Sequence, residues 1–139
     1  MSVFLAQFGQ YDESIKHLIK ASELSPQKQQ ILFQLGSTYL QKGDTAKAVE
    51  VFKKAFELDT TYESARVLYA SSRYYAGDKS GADKILLEGF GTVLYDNDQL
   101  LQVYNNTKQF DRVISIWKAR AEKSPKDANI HLGLAAAYF

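Results

Sequence analysis

The residues able to do chemistry are few and scattered. His17 and His131 are the two imidazoles of the chain. They lie far apart, and neither falls in a His-x-x-x-His or comparable metal-ligand spacing. Glu13 precedes His17 by one helical turn, a spacing that a ligand pair could use and that a solvated i,i+4 contact explains more simply. His131 falls at the register of Leu32, which points to packing rather than catalysis. Asp96-Asn97-Asp98 has neither the glycine nor the closing glutamate of a calcium loop, so helix capping accounts for it better. The glycines of GDKSGADKILLEGFG follow no strand and precede no Lys-Ser/Thr pair, which leaves a phosphate loop unsupported. No Gly-x-Ser-x-Gly elbow activates a serine. Asn105-Asn106-Thr107 is formally a glycosylation sequon placed at an expected helix end. With no cysteine, thiolate nucleophiles, disulfides and cysteine-held zinc are excluded. The expectation is a chain without an active site, metal or cofactor.

Composition narrows the partners. Apolar residues make up 45% of 139, enough for a real core. Seventeen Lys and Arg against sixteen Asp and Glu leave a net charge of +1, which is no footprint for nucleic acid or an anionic membrane. The start, MSVFLAQFGQYDE, lacks the basic and apolar stretches of a signal peptide. No run of about 18 apolar residues suggests a membrane span.

What must position any binding residues is a repeat. Gly9, Gly43 and Gly77 stand 34 residues apart. After each comes a small-large-small pattern: Ser14, Leu18 and Ala21; Ala48, Phe52 and Ala55; Ala82, Leu86 and Gly89. A shift of 31 gives a fourth copy at Val113, Trp117 and Arg120. Leu35-Gly36, Tyr69-Ala70, Leu100-Leu101 and Leu134-Ala135 recur on the other side of the glycines. Such a period signals a solenoid of helix pairs. Ser25 is expected as an N-cap with Pro26 at the first helical position, and Gly43 as the left-handed C-terminal residue. Asp44 should start the next helix. Thr60 with Glu63, and Asp96 with Gln99, have capping-box spacing, and Ser124-Pro125 repeats the Ser25-Pro26 signal. Small Ala48 and Ala55 should let paired helices approach, with Phe52 filling the gap between successive pairs.

These motifs resemble the tetratricopeptide repeat family, most closely over residues 29–62, where Leu35, Gly36, Tyr39, Gly43, Ala48, Phe52 and Ala55 fit its signature. The resemblance covers nearly the whole chain and has the style of bacterial arrays. It implies an all-α, right-handed α-solenoid of stacked antiparallel helix pairs. As one domain, 1–139 would hold units 1–28 (first helix truncated), 29–62, 63–93 and 94–127, with a partial unit 128–139. The third unit departs from the pattern: it is short, carries Gly81, Gly89 and Gly91, and has Arg73 where Tyr39 and Tyr104 sit. A shortened second helix and a local change of curvature are expected there. Lys108 replaces the turn glycine and should strain or re-form that turn.

The family's working surface is the concave face made by the first helix of each pair. In that register the candidate peptide groove comprises Phe33, Gln34, Ser37 and Gln41; Ser71 and Tyr75; and Tyr95, Gln99, Gln102 and Asn106. Side-chain amides can bond both the N–H and C=O of an extended peptide, and tyrosine adds apolar area with a polar tip. The family's chaperone-tail binders use cations here; the matching positions, among them Gln30, Gln34, Ser37 and Ser71, carry none. The expected function is therefore a non-catalytic scaffold holding a peptide or partner protein. Leu132, Leu134, Tyr138 and Phe139 offer the alternative of head-to-tail self-association against the MSVFLAQF stub (Phe4, Leu5, Phe8). A piece cut from a longer array would leave the same apolar face. The last stretch also resembles tetratricopeptide tails that follow the membrane domain of O-antigen-ligase-like proteins.

Overall fold

The computed structural model describes the backbone of residues 3–139 and the side chains of residues 9–139, and every element among them is helical. In order these are α1 (Val3–Leu24), α2 (Gln29–Lys42), α3 (Thr45–Leu58), α4 (Glu63–Tyr75), α5 (Lys79–Phe90), α6 (Asp98–Asn106), α7 (Phe110–Lys123) and α8 (Ala128–Tyr138). The stub residues Phe4, Leu5 and Phe8 lie outside the described side chains. The helices form two compact units, Met1–Ile85 and Leu86–Phe139.

In the first unit α2 and α3 make the best-formed pair. Ala48, Phe52 and Ala55 are fully buried on α3, facing Leu35, Gly36 and Tyr39 of α2. Phe52 closes on its own pair: a β-carbon on Gly36 would stand 2.7 Å from its ring. Removing that buried ring should cost about 3–5 kcal/mol.

The turns between paired helices share one construction. Gly43 takes φ 95°, its N–H donates to the Leu40 carbonyl, and Asp44 N–H donates back to Tyr39. Gly77 and Asp78 repeat these bonds onto Tyr74 and Arg73, and Lys108 and Gln109 onto Asn105 and Tyr104. This double bond satisfies the last carbonyls of a helix and requires a left-handed residue. Lys108 supplies it at φ 61°, so the turn is kept and the lysine bears the strain. Asp44 then caps α3 by accepting from Lys47 N–H, as expected.

Several expected helix starts lie elsewhere. Ser25 and Pro26 do not open α2; they form a turn in which Lys28 N–H donates to the Ser25 carbonyl, and α2 begins at Gln29. Ser124-Pro125 does the same before α8, whose cap is Asp127. Proline presets φ for the second residue of such a turn, which explains its position. Thr60 does not cap α4, whose N-cap position falls at Tyr62. The signal there belongs to a turn, in which the Asp59 carboxylate accepts from the Thr61 N–H and hydroxyl. Asn97, not Asp96, caps α6 by accepting from Gln99 and Leu100 N–H. Gly9 makes no turn at all: α1 runs through it. Gln10 follows it where Asp44 and Asp78 follow the other glycines, so the next helix would lack its capping carboxylate.

The third repeat is shortened as its glycines suggest. α5 has 12 residues against 14 in α3 and α7, and it stops at Gly91, φ 73°. Gly81 has a second reason to be glycine. A β-carbon there would lie 2.2 Å from the Asp78 carboxylate, which accepts from Arg73 at 2.6 Å.

The second unit is held by aromatic and ionic contacts around a long connector. Tyr95 stacks on Phe90 with centroids 3.9 Å apart, and the Tyr104 hydroxyl donates to the Val93 carbonyl. Arg120 of α7 lies over Trp117 and donates to Asp96 at 2.7 Å and Asp98 at 2.8 Å. Those bonds consume the acidic pair that opens α6. α8 has no fully buried residue; Leu132, Tyr138 and Phe139 are exposed and Leu134 is half-buried.

Candidate binding clefts

The amides of the first unit converge where α1 meets α2. Phe33, Gln34, Ser37 and Gln41 line a cleft of about 390 Å³, with Ser14 and Leu18 on its other wall. They share it because 33, 34, 37 and 41 are one stripe of α2 at helical spacing. Phe33 is the buried floor, set against Tyr62 with ring centroids 5.9 Å apart, while Gln34 and Gln41 are exposed. Gln30 and Thr38 also line this cleft. Each of them lies one helical turn from a groove residue already in the register, so the same spacing rule reaches them.

On α4 the two candidate residues differ. Tyr75 is exposed, whereas Ser71 is 2% accessible and its hydroxyl has no partner among the described residues. Tyr74 is buried and donates to Asp83 at 2.5 Å. Arg66 and Arg73 are turned inward. Arg66 lies over Phe56 and donates to the Ile85 carbonyl; Arg73 lies over Tyr69 and donates to its hydroxyl and to Asp78. The Gly81 N–H and then the Arg73 guanidinium hold the Asp78 carboxyl below its usual pKa.

The second unit has its own cleft, of about 320 Å³, between α6 and α8. Gln102 and Asn105 form one edge, Ala136 and Ala137 the other, over a floor that includes Trp117. Gly133 is forced by that indole: a β-carbon on it would sit 2.5 Å from the ring. Gln99 and Asn106 are exposed elsewhere on α6, and Tyr95 is half-buried against Phe90. Burial works against the Arg120 charge, but its bonds to Asp96 and Asp98 more than offset this and hold its pKa above the usual value.

The histidines contribute to no constellation. His17 and Glu13 are both exposed. His131 is exposed rather than packed, and its Nε2–H donates to the Pro125 carbonyl at 2.7 Å, tying α8 to the turn before it. Among the described residues no three His, Cys, Asp or Glu side chains gather to hold a metal, and no helix is long and apolar enough to cross a membrane.

The family model described as Regulator of microtubule dynamics protein 1-3 matches residues 3–89. The chain belongs to that family. Its repeats are tetratricopeptide repeats, and the fold is the all-α solenoid class that the resemblance implies. The TPR repeat-containing protein PA0015 of Pseudomonas aeruginosa is 33% identical over 67 residues, 48% of this chain and 64% of that protein. The match thus spans a little under two thirds of the relative's length. A crystal structure of MamA protein covers 94% of this chain and 73% of its own, at 25% identity and TM-score 0.62. A thermophilic TPR protein of Thermus thermophilus, TTC0263, covers 98% and 94%, at 18% identity and TM-score 0.50. The bacterial style of the repeats agrees with these relatives. Within the family member described here, Gly36, Tyr39, Gly43 and Phe52 are the signature residues that the packing accounts for directly.

Proposed function

We propose that the chain is a non-catalytic interaction scaffold that holds an extended segment of a partner protein through its amide-lined clefts. Tetratricopeptide folds are protein-interaction folds, and that much carries over with the repeats. The observation that favours a peptide is the pairing of exposed Gln34 and Gln41 amides with the Phe33 ring in one open cleft. The amides answer backbone groups whatever the peptide sequence, and the ring accepts one apolar side chain. Gln102 and Asn105 beside Trp117 repeat this chemistry in the second unit. The family description speaks of microtubule dynamics; what these residues share with it is the repeat scaffold.

The test selects peptides from a displayed random library on the chain and measures them against Gln34→Ala/Gln41→Ala. Both residues are exposed, so the variant should fold. Binding weakened about tenfold supports the cleft, since two lost neutral hydrogen bonds are worth about 1–3 kcal/mol together. Unchanged binding to both proteins overturns it.

A second reading, self-association, is favoured by α8, where Leu132 is 67% and Tyr138 59% accessible. Apolar side chains grouped this way mark interaction surfaces more often than isolated ones do.

A further inference from the structure

A second cleft of the first unit, larger than the amide one, is on a different face. It has a volume of about 700 Å³ and lies between α1 and α3, floored by α2. The floor is Leu32, Leu35 and Tyr39, at positions i, i+3 and i+7 of α2; all three are core residues that keep only 9%, 4% and 8% accessibility, the edge they show to the cleft. Ile19 of α1 and Val51 of α3 make apolar walls, and Ile19 is 39% accessible. The floor is therefore a straight apolar row about 10 Å long, taking 1.5 Å per helical residue.

The rim carries charge that the fold does not use. Lys47 is engaged, lying over the Tyr39 ring and pairing with Asp44. Glu23, Glu50 and Glu57 are exposed and form no ion pair or hydrogen bond among the described residues, and of the two cations that line the cleft, Lys47 and Lys54, only Lys54 is uncommitted. Glu50 and Glu57 lie two turns apart on α3, with Glu23 across the opening on α1. Three free carboxylates against one free ammonium give the rim a negative balance around an apolar floor.

We infer that this outer cleft docks a basic amphipathic helix of a partner protein, its apolar stripe on the Leu32–Tyr39 row and its lysines or arginines against Glu23, Glu50 and Glu57. A helix fits because the floor repeats at helical spacing over a rod-like length, the geometry of helix-in-groove recognition. A basic one fits because its cations complement the negative balance of the rim. The amide cleft bonds a peptide backbone; here the ligand's backbone bonds are internal and its side chains are read. One scaffold then holds two segments on two faces.

The test is a titration of the full chain, followed by fluorescence anisotropy. The probe is a labelled Leu–Lys peptide of about three helical turns, with leucines at i, i+3, i+4 and i+7. A Leu–Glu peptide of the same spacing and a scrambled Leu–Lys peptide are the controls. The Leu–Lys helix should bind and both controls should bind far more weakly. Reversing the rim with Glu23→Lys/Glu50→Lys/Glu57→Lys should weaken it about tenfold or more, since three exposed ion pairs are lost and each becomes a repulsion. Ile19→Asp should weaken it comparably with circular dichroism unchanged. Gln34→Ala/Gln41→Ala, which serves the other face, should leave it unaffected. Absence of binding, equal binding of a control, or indifference to the rim reversal overturns the inference. A loss confined to the Gln34→Ala/Gln41→Ala variant does so too, by placing the helix in the amide cleft.

Discussion

At position 36 a β-carbon would meet three atoms of the Phe52 ring at 2.7 to 2.8 Å. The ring is fully buried. Gly36→Val should therefore destabilise by about 1–3 kcal/mol, the usual cost of overpacking, read as a lower urea midpoint at unchanged slope. Asp78 makes a different kind of prediction. Its carboxyl is held below the ordinary carboxylate value by the Gly81 N–H and Arg73. A group depressed on folding stabilises above its unfolded pKa, and that contribution disappears as pH falls through the folded value. Urea midpoints of the native chain and Asp78→Asn should differ at neutral pH and converge below about pH 4. A gap that persists in acid would remove the ion pair as its cause.

At the scale of elements, the period was legible because glycine, aspartate and small residues mark turns and close approaches. The helix starts were less so. Ser25-Pro26 and Ser124-Pro125 suit a helix cap and a turn equally, and only the Lys28 and Asp127 hydrogen bonds decide for the turn. Asp96 looked like a cap until Arg120, 24 residues away in sequence, engaged it. Gly9 shows the same limit of local reading, since the glycine matched the register but the following residue could not cap. Gly9 lies within α1, and a β-carbon on it meets nothing within 4 Å. Gly9→Ala should then stabilise by about 0.5–1 kcal/mol, as replacement of an interior helical glycine does. Were Gly9 a left-handed turn residue, the same change would destabilise. Lys108, at φ 61°, is the reverse case, and Lys108→Gly should raise the urea midpoint by an equivalent of about 1 kcal/mol.

Across the whole molecule, sequence periodicity told which residues share a helix face but not how wide the space beside that face would be. The stripe of Gln34, Ser37 and Gln41 was visible for that reason, and so was the exposure of Gln102. The burial of Ser71 and the outer cleft were not, because both depend on the distance between neighbouring helices. The charged run on α3, Lys47, Glu50, Lys54 and Glu57, was the one local sign of that cleft, and any solvated helix face looks the same. The apolar side of α8 yields a test of the whole chain. If it self-associates, mass by light scattering should rise with concentration, and Leu132→Lys/Tyr138→Lys should hold it at 15.7 kDa. A native chain monomeric at every concentration would leave the clefts as its binding surfaces.

The chain has a single tryptophan, Trp117, and it lies in the second unit under Arg120 and against Gly133. Its emission is thus a private reporter: indole fluorescence follows the melting of Leu86–Phe139, whereas far-ultraviolet dichroism sums every helix. Heating one sample with both probes gives coincident curves for a cooperative array and separated ones for two independently melting halves. No label has to be added for the comparison, because packing has already placed the dye.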